Sequence, residues 1–264
     1  MDFATATNWP SHPGGYFTAD LPETWLQGRA LFGGVVAAVA LRALQSLVSE
    51  DRHPLSVHAA FFAPVGPTGT RLACELLREG KSVTTGRALF VVDGEPRAQV
   101  TVMFGRHRPS SLRIDAPTRP HVAGPEGLPD IPFIPGMTPT FTQHFAYRWT
   151  DGAMPFSGAS TAVVGGWCRH RTDPGPPHAA LLGLADAWPS PALCLLTAPA
   201  PASTISWTVA FADVPAVVGT DDWWWLRSEA LHTDAGYSHL RGALHRRSGQ
   251  AALLFEQVLA VFDA

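Results

Sequence analysis

Lysine and asparagine each occur once in the 264 residues, as Lys81 and Asn8, so arginine carries nearly all the positive charge. That bias reflects a GC-rich genome better than any function. Charged residues make up only 16% of the chain, with Lys+Arg 19 against Asp+Glu 22. Without a basic stripe, nucleic acid is not an expected partner. Cysteine occurs three times (Cys74, Cys168, Cys194), an odd number with no CxxC spacing. This excludes a disulfide frame and a cysteine-rich zinc site, and points to free thiols in a reducing, cytoplasmic setting. The start, Met1-Asp2-Phe3, has neither the basic nor the apolar region of a secretory signal. Only one long apolar run exists, Ala30 to Val48. It carries Gly33-Gly34, Arg42 and Gln45 and is short for a membrane span, so it reads as a helix buried in a soluble core. The eleven histidines are scattered, no HExxH occurs, and neither metal nor cofactor is expected.

What is present is apolar material: 46% hydrophobic residues, including nine tryptophans and fourteen phenylalanines, which excludes a disordered chain. Residues 1–24 read as a lead-in, broken by Asn8-Trp9-Pro10 and His12-Pro13-Gly14-Gly15. From Gly33 to Val48 the pattern predicts a helix apolar all round, which requires something to wrap it. Strands follow at 55–65, 70–79, 83–92 and 97–104, the last two joined by the hairpin signal Asp93-Gly94. Residues 25–105 thus form a first unit. Eight prolines between 106 and 140 mark an extended linker draped over the surface. The second unit, 141–264, has strands at 141–149 and 161–171. Pro176-Pro177 then open a short helix over 178–188, and further strands follow at 203–212, 223–232, 237–246 and 251–262. Alternation puts Trp223 and Trp225 on one face of their strand and Trp224 on the other, so both faces need cover, one from the core and the other from another subunit.

The two units repeat one order: helix, loop, four strands. Asp93-Gly94 superposes on Ser248-Gly249, and the run Ala60 to Val65 resembles Val209 to Val214. An internal duplication permits comparison of one half with the other. Asp186 interrupts the apolar helix Leu182 to Trp188, where the first helix has Ala40 and Leu41. Thr204 falls opposite Leu55, and Gln257, eight residues after Gly249, falls opposite Val102. A carboxylate in a core costs several kcal/mol unless paired or employed, so Asp186 either serves a site or turns to solvent or a nearby cap.

A long apolar helix wrapped by an antiparallel sheet, present twice, is an α+β double hotdog. Trp25 to Gly34 leading into the apolar helix, with His58 to Pro64 and Leu77 to Ser82, resembles the acyl-CoA thioesterase II family and its thioesterase-like relatives. The resemblance covers about residues 25 to 262 and is strongest in the first half. It implies hydrolysis of acyl-CoA to free acid and CoA, with an Asp in the second helix, a Thr or Ser opening the next strand and a Gln in the last strand. Asp186, Thr204 and Gln257 occupy those positions. Asp186 would take the proton of a water held by the Thr204 hydroxyl and the Gln257 amide. Gly33 and Gly34, opening the first helix, either offer backbone N–H groups to the oxyanion or simply let helix and sheet pack closely. The resemblance also implies a homo-oligomer. The alternative is a hotdog that binds acyl-CoA or another apolar ligand without turnover.

Other motifs fail. Gly80-Lys81-Ser82 ends like a phosphate loop, but Glu75 replaces its leading glycine. Gly158-Ala159-Ser160-Thr161-Ala162 lacks the second glycine of a nucleophile elbow. The Asp-x-Asn-x-x-His loop of hotdog hydratases is excluded because Asn8, far from any helix, is the only asparagine.

Overall fold

The computed structural model describes residues 1–263. Its main elements are α1 (Gly33–Gln45), β1 (His53–Phe61), β2 (Arg71–Glu79), β3 (Val83–Val92), β4 (Glu95–Gly105), β5 (Phe145–Gly152), β6 (Val163–His170), α2 (Pro177–Asp186), β7 (Ala202–Phe211), β8 (Trp224–Asp234), β9 (Tyr237–His245) and β10 (Ala251–Val261). These form one antiparallel sheet in the order β2-β3-β4-β1-β7-β10-β9-β8-β6-β5. The two-residue strands Tyr16–Phe17 and Ser11–His12 extend it beyond β2. The sheet curls around α1, whose residues from Gly34 to Leu41 are all buried, as an all-apolar helix demands. This is the expected double hotdog. Among the described residues no helix is long and apolar enough to cross a membrane.

The order reads alike from both ends. β2-β3-β4-β1 on one side of the β1–β7 seam answers β8-β9-β10-β7 on the other. Asp93 and Gly94 adopt φ 51° and 82°, the left-handed pair of a tight hairpin turn, and Ala235 and Gly236 do the same at 50° and 79° between β8 and β9. Register fixes which residues correspond. Val57 pairs with Val102 as Trp207 pairs with Gln257, so Val102 is the counterpart of Gln257. The ladder bulges after Pro54 and again after Thr204, which pair with Phe104 and Leu259 respectively. The counterpart of Thr204 is therefore Pro54, not Leu55. Counting from the shared Ala-Phe slipped by one, and a one-residue slip moves a side chain to the other face.

Two segments outside the hotdog units are built into the core. In the lead-in, Phe3–Ala6 forms a helical turn, and the Phe3 ring packs 5.6 Å from Trp25 and 4.9 Å from His170. The stretch 106–139 holds no regular strand or helix, but part of it covers the outer face of the second unit. The Trp167 indole donates to the Ala123 carbonyl at 2.9 Å, Arg119 stacks over Trp167, and Arg148 on β5 reaches Asp130. The outer face at Trp223 and Trp225 is thus covered within the chain. Trp223 lies under the guanidinium groups of Arg148 and Arg169, and Trp225 donates to Thr150. The expected role of another subunit there is replaced by the chain's own arginines and the segment draped across them.

Candidate active site

The two helices meet where glycine permits it. A Cβ on Gly34 would stand 3.1 Å from the Cα of Gly183 and 2.6 Å from the Phe32 ring, and one on Gly33 would stand 2.7 Å from Asp186 Oδ2. Those glycines let the start of α1 approach the end of α2 closely enough for the Asp186 carboxylate to face the first turn of α1. Gly183 is the reciprocal glycine. A glycine inside a helix costs about 1 kcal/mol against alanine, so its place in Leu182-Gly183-Leu184 was the available sign of close packing.

β10 supplies the second polar group. Its alternate residues Leu253, Phe255, Gln257 and Leu259 are buried beneath the helices. Gln257 is thereby aimed at α2, and its Nε2 donates to Asp186 Oδ1 at 2.8 Å. Asp186 as a residue keeps some exposure, yet its carboxylate is packed closely enough for burial to raise its pKa to about 7. The Gln257 bond and the nearby Gly34 N–H oppose that rise by favouring the charged form. The Gly34 contact is looser than a well-aligned hydrogen bond. Phe32, at the N-cap, makes no side-chain cap bond, so the N–H groups of Gly33 and Gly34 have no strong acceptor among the described residues. A helix start left in this state can take developing negative charge.

The structure thus brings together Asp186, Gln257, Gly33 and Gly34. Thr204 shares their sheet face, next to Leu259 on the neighbouring strand, but no hydrogen bond among the described residues joins its hydroxyl to Asp186 or Gln257. Two neighbours escaped the sequence reading. Phe61 stands 3.5 Å from the position of a Cβ on Gly33. The buried Tyr147 hydroxyl donates to the Ala187 carbonyl at 3.0 Å, fixing the chain directly after Asp186. The cysteines are free, and burial pushes Cys74 and Cys168 up to about 12, so neither supplies a thiolate. Among the described residues no cluster of three or more His, Cys, Asp or Glu is placed to hold a metal.

The fold places the chain among the hotdog proteins, which span several families. Comparison with known families identifies which one. The acyl-CoA thioesterase N-terminal domain matches residues 21–105 and the acyl-CoA thioesterase C-terminal domain matches residues 125–261. The chain belongs to the acyl-CoA thioesterase family and is a thioester hydrolase. Among solved structures it is similar to a hot dog protein of unknown function from Alicyclobacillus acidocaldarius (24% identity, 99% of this chain and 98% of that one, TM-score 0.86). It is also similar to the tesB protein of Mycobacterium avium subs. paratuberculosis (17%, 98% and 98%, 0.80) and to an acyl-CoA thioesterase II of Mycobacterium marinum (18%, 98% and 97%, 0.77). At these identities the likeness speaks for the fold. No curated protein is similar enough in sequence to count as a relative.

Proposed function

We propose that the protein hydrolyses acyl-CoA to a free carboxylic acid and CoA, with Asp186 as general base. The observation that carries this reading is the hydrogen bond from Gln257 to a carboxylate raised to about 7, lying against the Gly33–Gly34 turn. A base poised near neutral pH is half deprotonated there and strong enough to take a proton from water. Asp186 and the carbonyl end of the Gln257 amide hold that water, and the Thr204 hydroxyl, on the same face, completes its orientation through the water itself. The water oxygen attacks the thioester carbon while its proton passes to Asp186. The carbonyl oxygen becomes an oxyanion, and the Gly33 and Gly34 N–H groups stabilise it. Collapse breaks the C–S bond, and the leaving thiolate recovers the proton from Asp186. No acyl-enzyme and no cofactor enter this sequence. The work is divided: unit one supplies the donors and unit two the base.

The test is free-thiol release from acyl-CoAs of short to long chain, wild type beside Asp186→Ala. Loss of the base should cost ~10²–10⁴-fold in turnover. A folded wild type that releases no thiol from any of them, yet is thermally stabilised by one, would make it a binding protein and overturn the proposal.

A further inference from the structure

The duplication implies a second position equivalent to the active site, where the start of α2 meets the end of α1. Asp186 is the tenth residue of α2, counted from Pro177, and the tenth of α1, counted from Gly33, is Arg42. Gly33 stands against Asp186, and in the same way Pro176 and Arg42 line one cleft. By the same count Arg42 answers the carboxylate, Pro177, which has no N–H, answers Gly33, and His178, which keeps its N–H, answers Gly34; strand register sets Val102 against Gln257 and Pro54 against Thr204. Beside that junction, on the side of the lead-in, lies a cleft of about 360 Å³ with Trp9, Phe17, Val39 and Ala43 among its walls.

Arg42 is half-buried in that cleft. Its Nη1 donates to the Ala4 carbonyl at 2.6 Å and to Thr7 Oγ1 at 2.8 Å, and its Nη2 donates to Asn8 Oδ1 at 2.9 Å. All three acceptors are neutral. A guanidinium has five N–H donors, so the Nε–H and one Nη2–H are left without an acceptor among the described residues. Asp173 is the acid whose charge Arg42 feels, but it makes no ion pair with it. A half-buried guanidinium with no ion-pair partner, two N–H donors left over and apolar walls beside it suits a carboxylate on an aliphatic tail. Neutral acceptors hold the cation in place without cancelling its charge.

We infer that this cleft at Arg42 is a binding site for aliphatic carboxylates, separate from the hydrolytic site at Asp186. The inference does not depend on what Asp186 does. Isothermal titration with octanoate tests it, using wild type, Arg42→Met and Gln45→Trp. Gln45 is exposed on the last turn of α1 and lines the cleft, so its variant plugs the site while keeping Arg42. If Arg42→Met fails to fold, Gln45→Trp decides. The inference expects octanoate affinity to fall at least tenfold in Gln45→Trp, and in Arg42→Met if folded, with thiol release from acyl-CoA unchanged in Gln45→Trp. It also expects octan-1-ol to bind at least tenfold more weakly than octanoate. Undiminished octanoate binding in Gln45→Trp would overturn it, as would loss of binding in Asp186→Ala instead. So would octan-1-ol binding as tightly as octanoate, or inorganic phosphate displacing octanoate at equal concentration.

Discussion

Replacing Asp186 with asparagine should weaken the enzyme, and the variant's stability relative to wild type should rise with pH. In the folded chain the Asp186 carboxyl titrates near 7 instead of 3.8, because burial penalises the charged form more than Gln257 and Gly34 relieve it. Between those two values the folded chain holds a proton that the unfolded chain has released. Wild-type stability therefore falls as pH rises through this window, by roughly 1.4 kcal/mol per unit and about 4 kcal/mol in all. Some solvent reaches Asp186, which makes this an upper bound. Asparagine cannot ionise, and its carbonyl can still accept from Gln257, but its NH₂ would meet the Gly33–Gly34 turn donor to donor. That cost is the same at every pH, so the observable is the change in the difference between variant and wild type. From pH 5 to pH 8 the variant should gain up to about 3 kcal/mol on wild type, or roughly 5 °C in Tm for a chain of this size. Titration of other groups cancels in the comparison, including His144, His170 and His178, which burial holds near 4. Thermal unfolding at four pH values, beside thiol-release assays, measures both effects. Parallel stability curves would show that the carboxylate is not desolvated. Turnover within tenfold of wild type would remove Asp186 from the mechanism.

Gln257→Leu removes the side chain that donates to the carboxylate, so the Asp186 pKa should rise above about 7. Its kcat/KM profile should then move to higher pH and its plateau should drop; an unmoved profile would mean that the bond does not tune the base. Gly34→Ala places a Cβ 3.1 Å from the Gly183 backbone and forces the helices apart, for which about 1–3 kcal/mol of stability and most of the turnover should be lost. Gly33→Ala meets only the Asp186 carboxylate and the Phe61 ring, both side chains, so it should lose turnover with a smaller fall in Tm. Tyr147→Phe leaves the Ala187 carbonyl without its buried donor, at about 1–3 kcal/mol in chemical denaturation. It should lower kcat without moving the pH profile, since Tyr147 positions the base and does not touch the water.

Much of the fold can be read along the chain because its signals are local. The apolar helix that needs wrapping, the Asp93-Gly94 turn and the alternation in β10 each report on a few neighbouring residues. The polar groups of the site are legible for a related reason. A carboxylate or an amide stands out against an apolar period, and a duplicated chain provides its own control at Val102. What escaped depends on residues distant in sequence. The slip from Pro54 to Leu55 arose because Phe61 and Phe62 can each be matched to Phe211, and only the pairing of β1 with β7, where His58 lies opposite Thr208, decides for Phe61. The cover over the tryptophan strand could not be assigned because a proline-rich segment gives no period that says which surface it lies on. Arg42 looked like a lone charge in an apolar helix until the lead-in folded back to meet it through Ala4, Thr7 and Asn8.

These observations give one account of how the two halves diverged. A hotdog pair places two helix starts against two helix ends, and either junction can hold a reacting carbonyl. In the mechanism proposed above, catalysis at one junction draws its N–H groups from the opposite unit, which sets Gly33 and Gly34 in the half that lacks Asp186. That requirement frees the other junction, because Pro177 at the first position of α2 lacks the N–H that Gly33 offers at the start of α1, and a carboxylate facing it would be buried with less compensation. An arginine there meets the opposite condition: with backbone and side-chain oxygens of the lead-in around it, its charge is solvated by the protein. The lead-in is thus part of the second junction, and removing residues 1–9 should strand Arg42 in its cleft. Truncation should lower Tm by several degrees while leaving the pH profile of thiol release, set by Asp186 and Gln257 at the other junction, where it was. A truncated chain with an altered profile would show that the two junctions are coupled and that this division of labour is wrong.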